Sequence, residues 1–222
     1  PFSRLKCAQT LDGFIAAQKG TSHWITSEES RTEVHRLRSL YDAVLVGAET
    51  IRKDNPSLTV RHIDGRNPWR IILTRSWKLP LSSAVFTDDA KDRTIIVTSK
   101  KSARENAAVV TKMRKQGIRV VDVTTDVMEF ASLKSMLTRL QKDFGIRSIL
   151  VEGGAEVFSA FIRARLADRL DVFTGPKIIG QGRGSFSALR PLHLTDAHRF
   201  HVEDVHQMGG DVYMIMRPAK ED

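Results

Sequence analysis

Apolar positions along the chain fall into two repeating patterns. Residues 2–8 read as a short strand, and runs richer in isoleucine, leucine and valine occur at residues 43–46, 70–73, 94–98, 118–123, 149–151 and 170–174. Each reads as a strand, and most are apolar enough to be covered on both faces. Between them the spacing changes to that of a helix. Ser27 suits an N-cap, with Glu28 and Glu29 in the first turn where the helix dipole favours acids. Val34, Leu37 and Tyr41 then form an apolar stripe, which leaves Arg31, His35 and Arg38 on a separate polar face. Ala107, Val110 and Met113 share a face of a helix that Gly117 ends. Leu133, Met136, Leu137, Leu140 and Phe144 give the cleanest amphipathic pattern, and Val157, Phe158, Phe161 and Ile162 repeat it. Near the C-terminus, "RFHVEDVHQMGGDVYMIMR" reads as two strands joined around Gly209-Gly210. Alternating strands and helices with short connectors predict one α/β domain over residues 1–222. Its mostly parallel central sheet is flanked by helices, with an antiparallel strand at the end.

Composition narrows the picture. At 222 residues, 41% apolar and 27% charged, the chain is a folded protein that can bury a substantial core. No apolar run approaches the roughly 18 to 20 residues of a membrane span, and the N-terminus has no signal-peptide pattern. The lack of an initiator Met suggests a trimmed chain or part of a longer one. The single cysteine, Cys7, excludes an internal disulfide and fits a reducing compartment, which sets the expectation of a cytoplasmic protein. The formal charge of +9 favours anionic partners. No block of basic residues, helix-turn-helix, RNA-binding or zinc-finger pattern accompanies it, so neither nucleic acid nor membrane is expected.

Chemistry concentrates in "ILVEGGAEVFSAFIR". Gly153-Gly154 is neither a dinucleotide-binding GxGxxG nor a Walker A loop. Two readings stay open: a tight strand-to-helix turn, or backbone N–H groups of residues 154–157 facing a phosphate bridge. Glu152 would repel that phosphate and so is expected to face the other way, towards a second ligand with hydrogen-bond donors. The segment "GPKIIGQGRGS", with glycines at 180, 182 and 184, reads as a mobile loop in which Lys177 and Arg183 could meet an anion. In "GAETIRKDNPSLTVR", Asn55-Pro56 marks a turn flanked by Asp54 and Arg61. Arg38 and Arg61 either converge on one phosphate or are solvated surface. His198, His201 and His206 do not chelate from a strand, since His198 and His201 fall on opposite faces, so no metal is expected. No G-x-S-x-G elbow is present.

Taken in order, "LKCAQTLDG", "SHWITSEESR", "VHRLRSLYDAVLVGAETIRKDNPSLTVR", "ILVEGGAEVFSAFI", "RLADRLDVF" and "PKIIG" resemble the reductases of riboflavin biosynthesis. That resemblance implies a dihydrofolate-reductase-like fold, a homodimer and NADPH as cofactor. The implied reaction opens the ribose of a phosphorylated ribosylaminopyrimidine to an imine and delivers hydride to C1′, giving the ribitylamino product. By matching position, Ala8, Trp24, Thr50 and Asp54 would line the cofactor together with Gly153, Gly154, Ala155, Glu156 and Val157. Ser22, Arg38, Leu58, Arg61 and Glu152 would hold the substrate, with the arginines near its phosphate. Lys6, beside Glu152, would polarise the substrate or assist proton transfer. Arg75 is a candidate for the 2′-phosphate of NADPH. The sequence has Asp54-Asn55-Pro56 where Asp-Asp-Pro is usual, and Thr10 where Ser is common. The deaminase signature often fused to this family is absent. The expectation is a stand-alone reductase or the C-terminal half of a bifunctional protein. The substrate is either 5-amino-6-(5-phosphoribosylamino)uracil, its non-deaminated diamino counterpart, or a related pyrimidine or pteridine; a basic nucleic-acid-binding protein is the remote alternative.

Overall fold

The computed structural model describes residues 1–18, 24–191 and 193–219. Its strands are β1 (Phe2–Thr10), β2 (Phe14–Ala17), β3 (Ala43–Gly47), β4 (Trp69–Leu73), β5 (Thr94–Ser99), β6 (Arg119–Val123), β7 (Ser148–Gly153), β8 (Arg169–Gly175), β9 (Gly182–Gly184), β10 (Phe200–Met208) and β11 (Asp211–Pro218). The helices are α1 (Glu28–Leu40), α2 (Ala48–Asp54), α3 (Ala84–Thr87), α4 (Lys100–Glu105), α5 (Ala107–Lys115), α6 (Phe130–Phe144) and α7 (Ala155–Arg163). One nine-stranded sheet has the order β10-β11-β8-β1-β7-β3-β4-β5-β6. Its pairings from β8 across to β6 are parallel, and the β10–β11 hairpin adds antiparallel to β8.

The strict alternation of each strand sorts its residues between two cores. Ala43 and Leu45 face one side with Ile71, Ile95, Ile149 and Val151, against α6 and α7. Val44 and Val46 face the other side with Ile72, Ile96 and Leu150, against α1, α2 and α5. Each fully buried aliphatic side chain contributes roughly 1.5–3 kcal/mol. This is why the parallel strands read as continuous apolar runs.

Helix α1 starts where its cap sequence predicts, with the Ser27 side chain accepting the Ser30 N–H at 3.2 Å. A second cap comes from across the fold. Asp211 of β11, 2% exposed, accepts from the Ser27 N–H at 2.7 Å and the Ser30 hydroxyl at 2.6 Å. The polar face expected to be separate from the core is itself partly covered: His35 is 5% and Arg38 8% exposed. Those side chains turn inward to polar partners, Arg38 to Glu152 at the end of β7 and His35 to the Arg61 backbone in the segment after α2. The glycine segment also differs from the expected loop, since residues 182–184 form β9 and pair with β2. Sequence periodicity does not reveal α2, α3, α4, β2 or β9, all too short to show a full repeat.

One buried cation sets the path of the chain towards the site. Arg70, on β4 and 1% exposed, donates to the carbonyls of Ser57 and Val85 and to both carboxylate oxygens of Asp88, at 2.6–3.0 Å.

Candidate active site

The C-terminal ends of β1, β3 and β7 lie side by side, the place where open parallel sheets present ligand sites. A cavity of about 650 Å³ opens there, lined by residues of β1, α1, α2, the segment after α2, and the β7–α7 turn. Among the expected residues, Lys6, Ala8, Trp24, Arg38, Thr50, Asp54, Arg61, Glu152, Gly153 and Gly154 all line it. A larger cavity of about 1180 Å³, near Phe200 and Pro218, brings none of them together.

The two central groups sit on neighbouring strands. Leu5 and Val151 are register partners, and Lys6 and Glu152 follow them directly. On the other side of β7 the register slips: Leu45 pairs with Val151, but Val46 pairs with Gly153. Glu152 is thus the extra residue of a bulge, a device that re-aims a side chain near a site. Gly153 completes the bulge at φ +146°, a conformation that strains any residue with a Cβ.

Glu152 points to Arg38. The Arg38 Nε and Nη2 donate to its two oxygens at 2.6 and 2.7 Å, a bidentate pair whose side chains are 10% and 8% exposed. Burial alone would raise the Glu152 pKa, but Arg38 and then Lys6 outweigh it and hold the carboxyl below its ordinary value. Burial has the opposite effect on Lys6, lowering its ammonium pKa despite the attraction of Glu152. The Lys6 Nζ lies 5.7 Å from the centre of the Phe173 ring, so its surroundings are partly apolar.

The remaining expected residues divide by side chain and backbone. Arg38 Nη1 donates to the Thr59 carbonyl at 3.0 Å, leaving part of its guanidinium for a ligand. Arg61 is exposed at the cavity edge. The Leu58 side chain is 2% exposed within the core beside Val46 and Ile51, which leaves its backbone to meet a ligand. Ala155 and Val157 are likewise buried at 5% and 2%, which leaves their N–H groups rather than side chains for a ligand. Glu156 instead bonds Arg75 at 2.7 Å, and Arg75 also holds Asp126 at 2.8 and 3.0 Å. This cluster lies outside the 650 Å³ cavity. Ser22 lies outside the described residues. Trp24 lines the cavity at φ +66°, 64% exposed, with the Arg31 guanidinium 4.2 Å from its ring centre.

The turn fits a nucleotide pyrophosphate. Gly154 is the N-cap of helix α7 and no side chain caps the helix there, so its first N–H groups are open to an anion. A Cβ on Gly154 would come no nearer to a protein atom than 3.9 Å, at Thr50 Oγ1. Packing within the protein therefore does not require glycine there, whereas close approach of a ligand would.

Sequence reasoning missed Arg31, His35 and His62 at this site. The first two were visible as polar residues one helical turn apart, in register with Arg38, but a surface face has the same spacing.

Known proteins share the sequence and fold of this chain. The family model of the RibD C-terminal domain matches residues 1–213. The riboflavin biosynthesis protein RibD of Aquifex aeolicus is 36% identical over 98% of this chain and 58% of its own length. Another Aquifex aeolicus protein, named a 2,5-diamino-6-ribosylamino-4(3H)-pyrimidinone 5′-phosphate reductase, is 34% identical over 81% of this chain and 79% of its own length. The Thermotoga maritima diaminohydroxyphosphoribosylaminopyrimidine deaminase/5-amino-6-(5-phosphoribosylamino)uracil reductase superposes with TM-score 0.80 at 37% identity, over 99% of this chain and 57% of that one. Acinetobacter baumannii RibD superposes with TM-score 0.84 at 27% identity, over 99% and 58%. This chain thus spans little more than half the length of those RibD relatives. The family-model match over residues 1–213 and the 36% identity over 98% of the chain place it in one family, and the superpositions agree: the chain belongs to the RibD C-terminal domain family, with its dihydrofolate-reductase-like α/β fold.

Proposed function

We propose that this chain is the pyrimidine reductase of riboflavin biosynthesis, converting 5-amino-6-(5-phosphoribosylamino)uracil to its ribitylamino product with NADPH. The observation that carries the reading is the convergence of Lys6, Glu152, Arg38 and Arg61 on the cavity that the Gly153-Gly154 turn borders. NADPH, when bound, supplies the hydride for the opened sugar. Gly153, Gly154 and the α7 N–H groups would hold its pyrophosphate, with Ala8, Trp24, Thr50 and Asp54 lining the cofactor alongside.

The protein's own task is orientation and proton transfer. Lys6, its ammonium pKa lowered by burial, releases a proton more readily than a surface lysine and can deliver it from Nζ to the sugar ring oxygen. Glu152 stays ionised and accepts from substrate donors while keeping Arg38 in place. Arg61, with the free part of Arg38, meets the phosphate. Arg75 would favour NADPH over NADH by binding the 2′-phosphate in exchange for its carboxylate partners. The family resemblance also supports a homodimer, and the single cysteine a reducing, cytoplasmic setting; light scattering of the purified protein tests the former.

A second reading has its own support. The relative named for the diamino substrate aligns over 79% of its length, so the same chemistry on the non-deaminated pyrimidinone is the competing assignment. Loss of reduced-nicotinamide absorbance, with each pyrimidine offered separately, decides between them. Turnover of the uracil alone supports the first; preference for the diamino compound supports the second. NADPH binding without turnover of either would leave the cofactor site standing and remove the substrate assignment. Lys6→Met should lower kcat by roughly 10²- to 10⁴-fold, the usual contribution of a positioned acid, with the KM for NADPH little changed.

A further inference from the structure

The segment after the Asn55-Pro56 turn has no helix or strand, yet each residue from Ser57 to Arg61 is fixed. Arg70 donates to the Ser57 carbonyl at 3.0 Å, and the Leu58 side chain is in the core. Arg38 donates to the Thr59 carbonyl at 3.0 Å, and the Val60 N–H donates to Asn67 Oδ1 at 2.9 Å. The last anchor is His35, whose Nδ1 accepts the Arg61 N–H at 3.2 Å. His35 and Arg38 are one turn apart on α1, so a single helix fixes both Thr59 and Arg61 in the stretch. The His35 ring is 5% exposed and meets His62 edge-on, centroids 4.5 Å apart.

We propose that His35 is a positioning residue for the substrate: its unprotonated Nδ1 fixes the Arg61 backbone, and through it the guanidinium, at the phosphate end of the cavity. This rests on the reading of Arg61 as a phosphate ligand given above. Acceptance at Nδ1 needs the ring lone pair, so the ring proton resides on Nε2. The surroundings preserve that state. Burial, then Arg38, His62 and Arg61, lower the His35 pKa to about 4, against a smaller opposing pull from Glu152. An apolar ring of similar shape would fill the space but could not accept the N–H.

The test is steady-state kinetics of Arg61→Ala, His35→Phe and His35→Asn in the whole chain. The probes are 5-amino-6-(5-phosphoribosylamino)uracil as substrate and ribose 5-phosphate as competitive inhibitor. Arg61→Ala and His35→Phe should each raise the substrate KM and the ribose 5-phosphate Ki about tenfold, the effect of losing one charge-assisted contact. The KM for NADPH should stay near wild type. His35→Asn places an oxygen acceptor near the Nδ1 position and should recover most of the loss. If Arg61→Ala raises KM and Ki while His35→Phe does not, the positioning role is wrong and the phosphate reading stands. If Arg61→Ala changes neither, the phosphate reading falls and takes this proposal with it. Should His35→Phe fail to fold, nitrogen NMR of the wild-type protein still decides. An unprotonated Nδ1 coupled to the Arg61 amide supports the proposal, and a protonated Nδ1 at neutral pH overturns it.

Discussion

Two arginines of this chain look alike in sequence and differ completely in what they do. Arg61 is exposed at the cavity edge, and replacing it should change ligand binding with little change in stability. Arg70 is sealed between β4 and the segment leading to the site. Arg70→Ala strands Asp88 and the carbonyls of Ser57 and Val85, and should cost about 3 kcal/mol in urea denaturation. It should also raise the substrate KM, since the 57–61 segment loses an anchor. His35 adds a pH dependence whose sign follows from its depressed pKa. Above the ordinary histidine value near 6.5, both folded and unfolded states are neutral and there is no penalty. As pH falls through that value the unfolded chain takes up a proton that the folded one refuses, so stability declines. The decline levels off below about 4, where the folded state also protonates. At roughly 1.4 kcal/mol per pKa unit, discounted for the solvent that screens the surrounding charges, the loss is about 1–3 kcal/mol. It is measured as the wild-type stability minus that of His35→Asn across this window, and a flat difference would refute it.

At the scale of elements, the β7–α7 turn separates two requirements that the sequence "EGG" runs together. Gly153 is needed by the backbone: at φ +146° an alanine is strained by about 1–3 kcal/mol, and the bulge that aims Glu152 would shift. Gly153→Ala should therefore lower both stability and kcat. Gly154 has ordinary backbone angles and room for a methyl group. Gly154→Ala should fold with a melting temperature near wild type yet bind NADPH at least tenfold more weakly in a direct titration. Equal loss of stability in the two variants would show that packing, not ligand approach, selects glycine at 154. Helix α1 shows the same division between local and distant causes. Its Ser27 cap is legible in sequence, whereas the Asp211 cap comes from a residue 184 positions away and has no local signature.

For the whole molecule, Arg75 links elements far apart in the chain: it follows β4 and binds Asp126 ahead of α6 and Glu156 in α7. Its side chain is half-exposed, so these ion pairs contribute under about 1 kcal/mol. Arg75→Ala should leave the melting temperature almost unchanged and reduce the preference for NADPH over NADH by roughly 10- to 100-fold. An unchanged preference removes Arg75 from the cofactor site.

Short-range patterns suffice for the alternation of elements, the parallel core of the sheet, the α1 cap, the C-terminal hairpin and the glycine turn. These follow from contacts within a few residues, or from burial on both faces of a strand, and each leaves a period or a composition to read. Resemblance to a known family supplied most of the site residues. Contacts between distant segments are what make Arg38 face Glu152, His35 hold the Arg61 backbone, and the Leu58 side chain pack in the core. Those outcomes depend on which strand ends lie opposite α1 and on a one-residue bulge in β7, and neither the sheet order nor the bulge is written in the periodicity of any single segment.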